Sequence, residues 1–394
     1  MGPVRRRGTE VSDARVRRLV YLTGTRADFG LLRSTLDRVA ATPGVDLKIA
    51  VTGMHLSRDH GETVNEVRAS GLPVCAEIPL DMDNRTGPGM AFALADCLRG
   101  VTDMLVREQP DFLIVLGDRG EMLAGAIAAL HTGVACVHIH GGERSGTVDE
   151  PMRHAISKLA TYHFVATQGS RERLVRMGES EARVFVTGAP GLDGLAALGD
   201  VPRSDSVCAL GLPGDGPFVL AMFHPVVQQA DQSRVQTEAV IAALSRVGLP
   251  VLWLDPNADA GSLAILDALD ALGQSALPAG SVRLRHLPRA QFAAALRHCE
   301  VLVGNSSAGI IEAATFGTPV VNIGDRQQLR ERNANVADVQ PEAGAIESAV
   351  RAAVAHGRWP CDNLWGDGKA GERIAALLAS LPAGPHLLEK FNSY

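Results

Sequence analysis

Between His138 and Leu159 the sequence HIHGGERSGTVDEPMRHAISKL gathers three acids, two arginines and three histidines around paired glycines. Carboxylates at this density suit proton transfer, and arginines among them either hold an acid in place or meet an anion. A second stretch, GDRGE, supplies Asp118, Arg119 and Glu121. Glu121, Asp149 and Glu150 all sit where a first-turn acid would offset a helix dipole, Glu150 most plainly because Pro151 follows it. Asp118 and Glu143 have no such structural role, so they head the candidate catalytic set, with Asp149 weighed beside them. His138 and His140 lie two apart on a run read as a continuing strand, and no metal pair is expected of them. His131, His163, His286 and His298 read as structural, whereas His55 and His224 stand at strand ends, as caps or as site residues.

Such side chains need elements to position them. From residue 19 to 187 short apolar runs alternate with amphipathic stretches: LVYLT, LKIAVT, FLIVLG, CVHI and YHFVAT, each followed by a helix-like segment, and then VFVTG. The stretch Gly188 to Val207 breaks the rhythm with Gly, Pro and Ser, and the alternation then restarts with FVLAMFHP, VLWLDPN, VRLRHLP, VLVGNSS and PVVNIG. The reading is an α/β protein of two Rossmann-like doubly wound domains facing a cleft. Residues 1–17 form a leader expected to be disordered, 18–195 a first domain carrying the acids, 196–375 a second domain holding a nucleotide, and 376–394 a helical end returning to the first domain.

In open α/β sheets ligands bind beyond the carboxyl ends of the strands. On that rule Arg26, His55, Asp118, Arg119, Glu143, His224, Asn257, Ser306 and Ser307 line one interdomain cleft. Ser306 and Ser307 precede AGIIEAATFG and either cap that helix or, with its free N–H groups, take a phosphate. Glu312 on the same segment either accepts from ribose hydroxyls or faces solvent. Arg326 in NIGDRQQ is a phosphate partner or a solvated loop arginine, and Arg26 pairs with ligand phosphate or with a nearby acid. Gly188 in VTGAPGLD and Leu287 in VRLRHLP complete the candidate binding set.

The 394 residues exceed one typical core, and the formal net charge of -6 argues against wholesale nucleic-acid binding, so an anionic ligand must be met by local arginines. No apolar run reaches the roughly 18 residues of a membrane span, and the basic start MGPVRRRGTEVSDARVRR leads straight into a strand without a secretory apolar region. Six cysteines show no C-x-x-C pairing and are expected to be reduced thiols of a cytoplasmic protein. GAPGLDG is not spaced G-x-G-x-x-G and no P-loop occurs, which removes the main support for a dinucleotide cofactor. The chain is expected to form a homodimer or homotetramer, with apolar helices such as MLAGAIAALH available to the core or to an interface.

Taken together, GTRADFGLL, VTGMHLS, GDRGEMLAGAIAA, HIHGGERSGTVDEPMRHAISKL, HFVAT, VTGAPGLD, FHPV, DPNADAGS and GNSSAGIIEAATFGTPVVNIGDRQ resemble the UDP-N-acetylglucosamine 2-epimerase family, in its hydrolysing branch. The resemblance spans roughly residues 18 to 380, and its HGGE…DE..RHA signature is the most specific part. It implies a GT-B-like fold and conversion of UDP-N-acetylglucosamine to free N-acetylmannosamine and UDP, feeding sialic acid or related sugars. It also implies that Arg26, Asn257, Ser306, Ser307, Glu312 and Arg326 contact the nucleotide, with Asp118, Glu143, Asp149, Arg153 and His224 at the reacting sugar. The VVQQADQ stretch after His224, where the pattern leads one to expect a threonine and an acid, departs from it and bears on sugar selectivity.

Inverting C2 removes a proton from one face of the sugar and delivers one to the other, which calls for more than one carboxylate. If departure of UDP runs ahead, positive charge at C1 makes an ordinary carboxylate an adequate base, and the resulting glycal is protonated at C2 and hydrated at C1. This inventory closes with no metal or nicotinamide. The alternatives are a hydrolysing 2-epimerase of another nucleotide-activated N-acetylated sugar, di-N-acetylated or GDP-linked, and a GT-B glycosyltransferase.

Overall fold

The computed structural model describes residues 16–58, 61–82, 86–145, 150–256, 261–273 and 276–393. The leader up to residue 15 and two candidate site residues, Asp149 and Asn257, lie outside the described residues.

The first half runs β1 (Arg17–Thr23), α1 (Arg26–Ala40), β2 (Val45–Thr52), α2 (Val64–Ala69), β3 (Val74–Ile78), α3 (Gly87–Glu108), β4 (Phe112–Leu116) and α4 (Gly120–Thr132). It continues through β5 (Ala135–Ile139), α5 (Glu150–Leu159), β6 (Tyr162–Val165), α6 (Gln168–Arg176) and β7 (Val184–Val186). Short helices α7 (Leu195–Leu198) and α8 (Arg203–Ala209) occupy the Gly/Pro-rich connection. The second half comprises β8 (Val219–Met222), α9 (Ser233–Val247), β9 (Val251–Leu254), α10 (Ser262–Leu272), β10 (Val282–Leu284), α11 (Arg289–His298) and β11 (Val301–Gly304). It ends with α12 (Ser307–Ile311), β12 (Val320–Ile323), β13 (Val336–Val339), α13 (Ala343–His356) and α14 (Ala370–Ser380).

Both sheets are parallel, in the orders β3-β2-β1-β4-β5-β6-β7 and β10-β9-β8-β11-β12-β13. Parallel sheets carry helices on both faces, and β4 (FLIVL) and β5 (ACVHI) are accordingly buried along their whole length. The strand order reverses between β1 and β4 in one sheet and between β8 and β11 in the other, which puts the two ligand crevices beyond Thr23/Leu116 and Met222/Gly304. Every apolar run read as a strand is one. Edge strands β3 and β13 are additional, because their sequences VCAEI and VADV are short, partly exposed and interrupted by acids. Among the described residues no helix is long and apolar enough to cross a membrane.

Helix α14 begins at Ala370, and Ala370, Ile374, Ala375 and Leu378 enter the first-half core beside Leu32, Leu36 and Val39. Its start is fixed by Asp193, whose carboxylate accepts from the Ala370 and Gly371 N–H groups at 2.9 and 2.5 Å. These are orphan donors of the first helical turn. Asp193→Ala is expected to cost about 1–2 kcal/mol, read as a lowered urea midpoint at unchanged slope. An unchanged midpoint would show that the cap contributes nothing.

Candidate active site

The HGGE loop is shaped by backbone demands. β5 ends at Ile139, and His140 turns off it with φ 65, a left-handed conformation rare outside glycine. Gly142 follows at φ +74, where an added Cβ would sit 2.4 Å from the Ser170 carbonyl oxygen, so α6 packs directly on the loop. A Cβ on Gly141 would lie 2.9 Å from His138 Nδ1 and 3.0 Å from Ser157 Oγ. Those two atoms are themselves 3.0 Å apart, and His138 Nε2 donates to the Gly117 carbonyl at 2.8 Å, so Nδ1 accepts from the Ser157 hydroxyl. Burial first, with nearby positive groups including Arg153, pushes His138 down to about 3, consistent with a neutral structural imidazole that seats α5 on β5.

Arg153 lies one turn before Ser157 on the same face of α5 and is 2% exposed. Its Nη2 donates to Asp118 and, at 3.1 Å, to Ser145 Oγ, while Nη1 donates to the Glu143 carbonyl at 3.0 Å. One guanidinium thus joins the loops that follow β4 and β5. The Glu143 carboxylate, 4% exposed, accepts from His140 Nδ1 on one oxygen and from Arg330 Nη1 at 2.9 Å on the other. Burial works to raise this acid, but His140, Arg330 and Arg153 outweigh it and hold it at about 2. It is a carboxylate fixed in its charged form.

At the second crevice the side-chain oxygen of Asn305 accepts from the His224 N–H at 2.7 Å and its amide donates to the His224 carbonyl at 2.8 Å. The Asn305 carbonyl takes Arg326 Nη1 at 3.2 Å and Gln327 Nε2 at 3.1 Å, which brings His224, Ser306 and Arg326 onto one rim. Gly304 makes this possible: a Cβ there would fall 1.9 Å from the Met222 carbonyl oxygen. Burial, then Arg326, pushes His224 down to about 3, so it is a neutral hydrogen-bonding group rather than a cation for phosphate.

Other candidates occupy more ordinary positions. Ser306 caps α12, its hydroxyl accepting from Ala308 N at 3.4 Å, and α12 has only five residues, so its dipole is small; Ser307 is half-buried. Glu312 is buried and accepts from Arg289 Nη1 at 2.6 Å; burial raises its pKa against the pull of Arg289. Arg26 pairs with Glu66 at 3.0 Å, the acid-partner alternative. His55 lies between Thr23 and Thr63, at 2.9 and 2.8 Å, and burial pushes it down to about 4. Arg119 lies 3.6 Å from Glu121. Gly188 packs on Gly366 where the chain returns to the first half, and Leu287 packs on the second-half core.

The cluster therefore joins Asp118, Glu143 and Arg153, and the rim joins His224, Ser306 and Arg326. Three members escaped the sequence reading. His140 falls on a strand extended past Ile139, Ser145 carries no signal, and Arg330 is one of three arginines in DRQQLRERN with nothing local to single it out.

Comparison with known proteins gives the family. The family model for UDP-N-acetylglucosamine 2-epimerase matches residues 37–379. A Legionella pneumophila protein, UDP-N,N'-diacetylbacillosamine 2-epimerase (hydrolyzing), is 45% identical over 380 residues, 96% of this chain and 100% of that protein. The UDP-N-acetylglucosamine 2-epimerase of Neisseria meningitidis serogroup B is 33% identical over 92% of this chain and 95% of its own length. A crystal structure of a Neisseria meningitidis UDP-GlcNAc 2-epimerase bound to UDP-GlcNAc superposes with a TM-score of 0.78 at 17% identity, over 92% of this chain and 99% of that one, a likeness of GT-B-like fold. With a match of that extent and two parallel doubly wound sheets meeting at their carboxyl ends, the chain belongs to the UDP-N-acetylglucosamine 2-epimerase family.

Proposed function

We propose that this enzyme is a hydrolysing 2-epimerase of a UDP-linked di-N-acetylated sugar, converting it with water to the free 2-epimeric sugar and UDP. The sugar assignment rests on one observation, the 45% identity that extends across the whole Legionella protein, against 33% for the relative named for UDP-N-acetylglucosamine. It replaces UDP-N-acetylglucosamine as the preferred substrate. The departure at VVQQADQ, next to His224, falls where a different sugar substituent would be met.

The reaction reading is supported by the buried cluster. Departure of UDP leaves positive charge at C1, and Glu143, held ionised, suits the face of such a cation. Asp118, Glu143 and Asp149 carry the proton transfers at C2, removing one from the first face and returning one to the other, and Arg153 orients Asp118. Ser306, Ser307 and Arg326 meet the diphosphate, and His224 donates a neutral hydrogen bond there. The six free thiols suit a reducing compartment.

The test is incubation of each sugar nucleotide in heavy water with NMR of the products. UDP and a free di-N-acetylated 2-epimer deuterated at C2 are expected, with kcat/KM at least about tenfold above that for UDP-N-acetylglucosamine. Equal or faster formation of N-acetylmannosamine would reject the sugar assignment. Retention of hydrogen at C2, or no UDP release, would reject the reaction.

A further inference from the structure

The segment after β12 leaves the second half and reaches the first. It begins on the nucleotide rim, where Arg326 and Gln327 both donate to the Asn305 carbonyl. Arg332 Nη1 folds it back by donating to the Gln327 and Arg330 carbonyls, both at 2.7 Å, while its guanidinium pairs with Asp338 at 3.1 Å. Two consecutive residues of opposite charge then cross to complementary partners. Arg330 Nη1 meets Glu143 at 2.9 Å, and Glu331 accepts from Arg173 Nη2 at 2.8 Å and from the Thr167 hydroxyl at 2.6 Å. Arg173 also donates from Nε to the Gly142 carbonyl at 2.5 Å, so both members of the pair bear on the Gly142–Glu143 peptide region. The Arg330 guanidinium is 6.0 Å from the ring of Trp365, which is itself buried.

We infer that Arg330 is a positioning residue through which the second half sets the orientation and charge of the Glu143 carboxylate, with Glu331 as the pin that keeps Arg330 in register. A like-sign pair could not make this contact twice: the alternation Arg-Glu against Glu143 and Arg173 specifies one register, since a slip by one residue would oppose like charges. Three residues separate Arg330 from Arg326, so the group that meets the nucleotide and the group that holds the acid lie on one short, internally bonded loop. The inference rests on the epimerase reading and assigns no bond-making step to Arg330.

The charged groups facing Glu143 are His140 on its own loop, Arg153 from α5 with Asp118 behind it, and Arg330 from the second half. Removing Arg330 leaves a buried acid with one fewer positive neighbour, so its pKa rises and the acid limb of the kcat profile moves to higher pH. For Arg330→Met the expected limb shift is roughly 1–2 units, with kcat down about 10–100-fold and KM changed much less. Arg330→Lys, which keeps the charge, restores most of the limb position. Glu331→Gln lowers kcat by about tenfold and moves the limb in the same direction as Arg330→Met but by less, because Arg330 loses its register while keeping its charge.

The experiment measures pH profiles of UDP release for the wild type and the three variants, with circular dichroism confirming folding. If Arg330→Met does not fold, Arg330→Lys and Glu331→Gln decide. An Arg330→Met enzyme with wild-type limb and kcat overturns the positioning role, as does an Arg330→Lys profile shifted at least as far as the Met profile, or a Glu331→Gln enzyme indistinguishable from wild type. A wild-type protein that turns over neither sugar nucleotide overturns the epimerase reading, and this inference with it.

Discussion

Glu143→Gln is expected to lower turnover by about a thousandfold or more while UDP binds within a few fold of wild type. The amide has the shape of the acid but cannot take a proton or carry the charge that a developing cation at C1 requires. It would also leave His140 and Arg330 facing an uncharged group in a site where Glu143 is only 4% exposed. Asp118→Asn should behave alike, since the Arg153 guanidinium would lose the charge it donates to and an amide cannot take a proton. Steady-state UDP release gives the first number and calorimetry with UDP the second. Turnover within tenfold of wild type in either variant would remove that residue from proton transfer.

Glu179→Gln is expected to cost about 3–5 kcal/mol in unfolding free energy. Glu179 is 1% exposed and gathers three positive or protonatable partners: His163 at 3.0 Å, Lys158 at 2.8 Å and Lys390 at 2.5 Å. Lys390 in turn donates to the Ser157, Lys158 and Ala160 carbonyls at 2.9, 2.9 and 2.8 Å, closing the carboxyl end of α5. Burial raises the Glu179 acid, but His163, Lys158 and Lys390 prevail and bring it from its ordinary 4.5 to about 2. A folded pKa below the unfolded one means the stabilisation is complete above about pH 4.5 and is lost as pH falls toward 2. His163, lowered by burial, has the same sign: the unfolded chain takes up a proton first as pH drops below about 6.5. Urea titrations of wild type and variant at pH 7 and pH 3.5 should therefore differ most at pH 7 and converge in acid. A constant gap across that range would place the stabilisation in packing rather than charge.

Much of this was legible in the linear chain. Continuous apolar runs such as FLIVL and CVHI declare strands buried on both faces, and glycines and acids directly after them declare the crevice. The meeting of Asp118 with Glu143 follows from those positions because parallel strands deliver their carboxyl ends to one edge, whereas Arg153, within α5, is marked only by the family resemblance. What local sequence conceals is pairing across large separations. Arg330 and Glu143 are 187 residues apart, and Arg26, Arg326, Arg330 and Arg332 are chemically identical until the fold assigns each a partner. His140 was hidden for another reason: strand periodicity extrapolated past Ile139 gives a direction that the left-handed turn at His140 replaces. The short α12 is a third case, where an apolar periodic stretch ends after five residues and tightens into a 3-10 turn (Ala313–Phe316).

The chain passes between its halves at two places that lie side by side, Gly188 packing on Gly366 and the Ala189 N–H donating to the Trp365 carbonyl at 2.7 Å. A swing of one half against the other that kept these contacts would turn about this place and displace both passages little. The bonds it would have to part are those of Arg330 to Glu143 and of Glu331 to Arg173 and Thr167. Release of a spent nucleotide would then be timed by a few polar contacts rather than by any loosening of the sheets, so the strength of those contacts trades a well-set acid against a slow door.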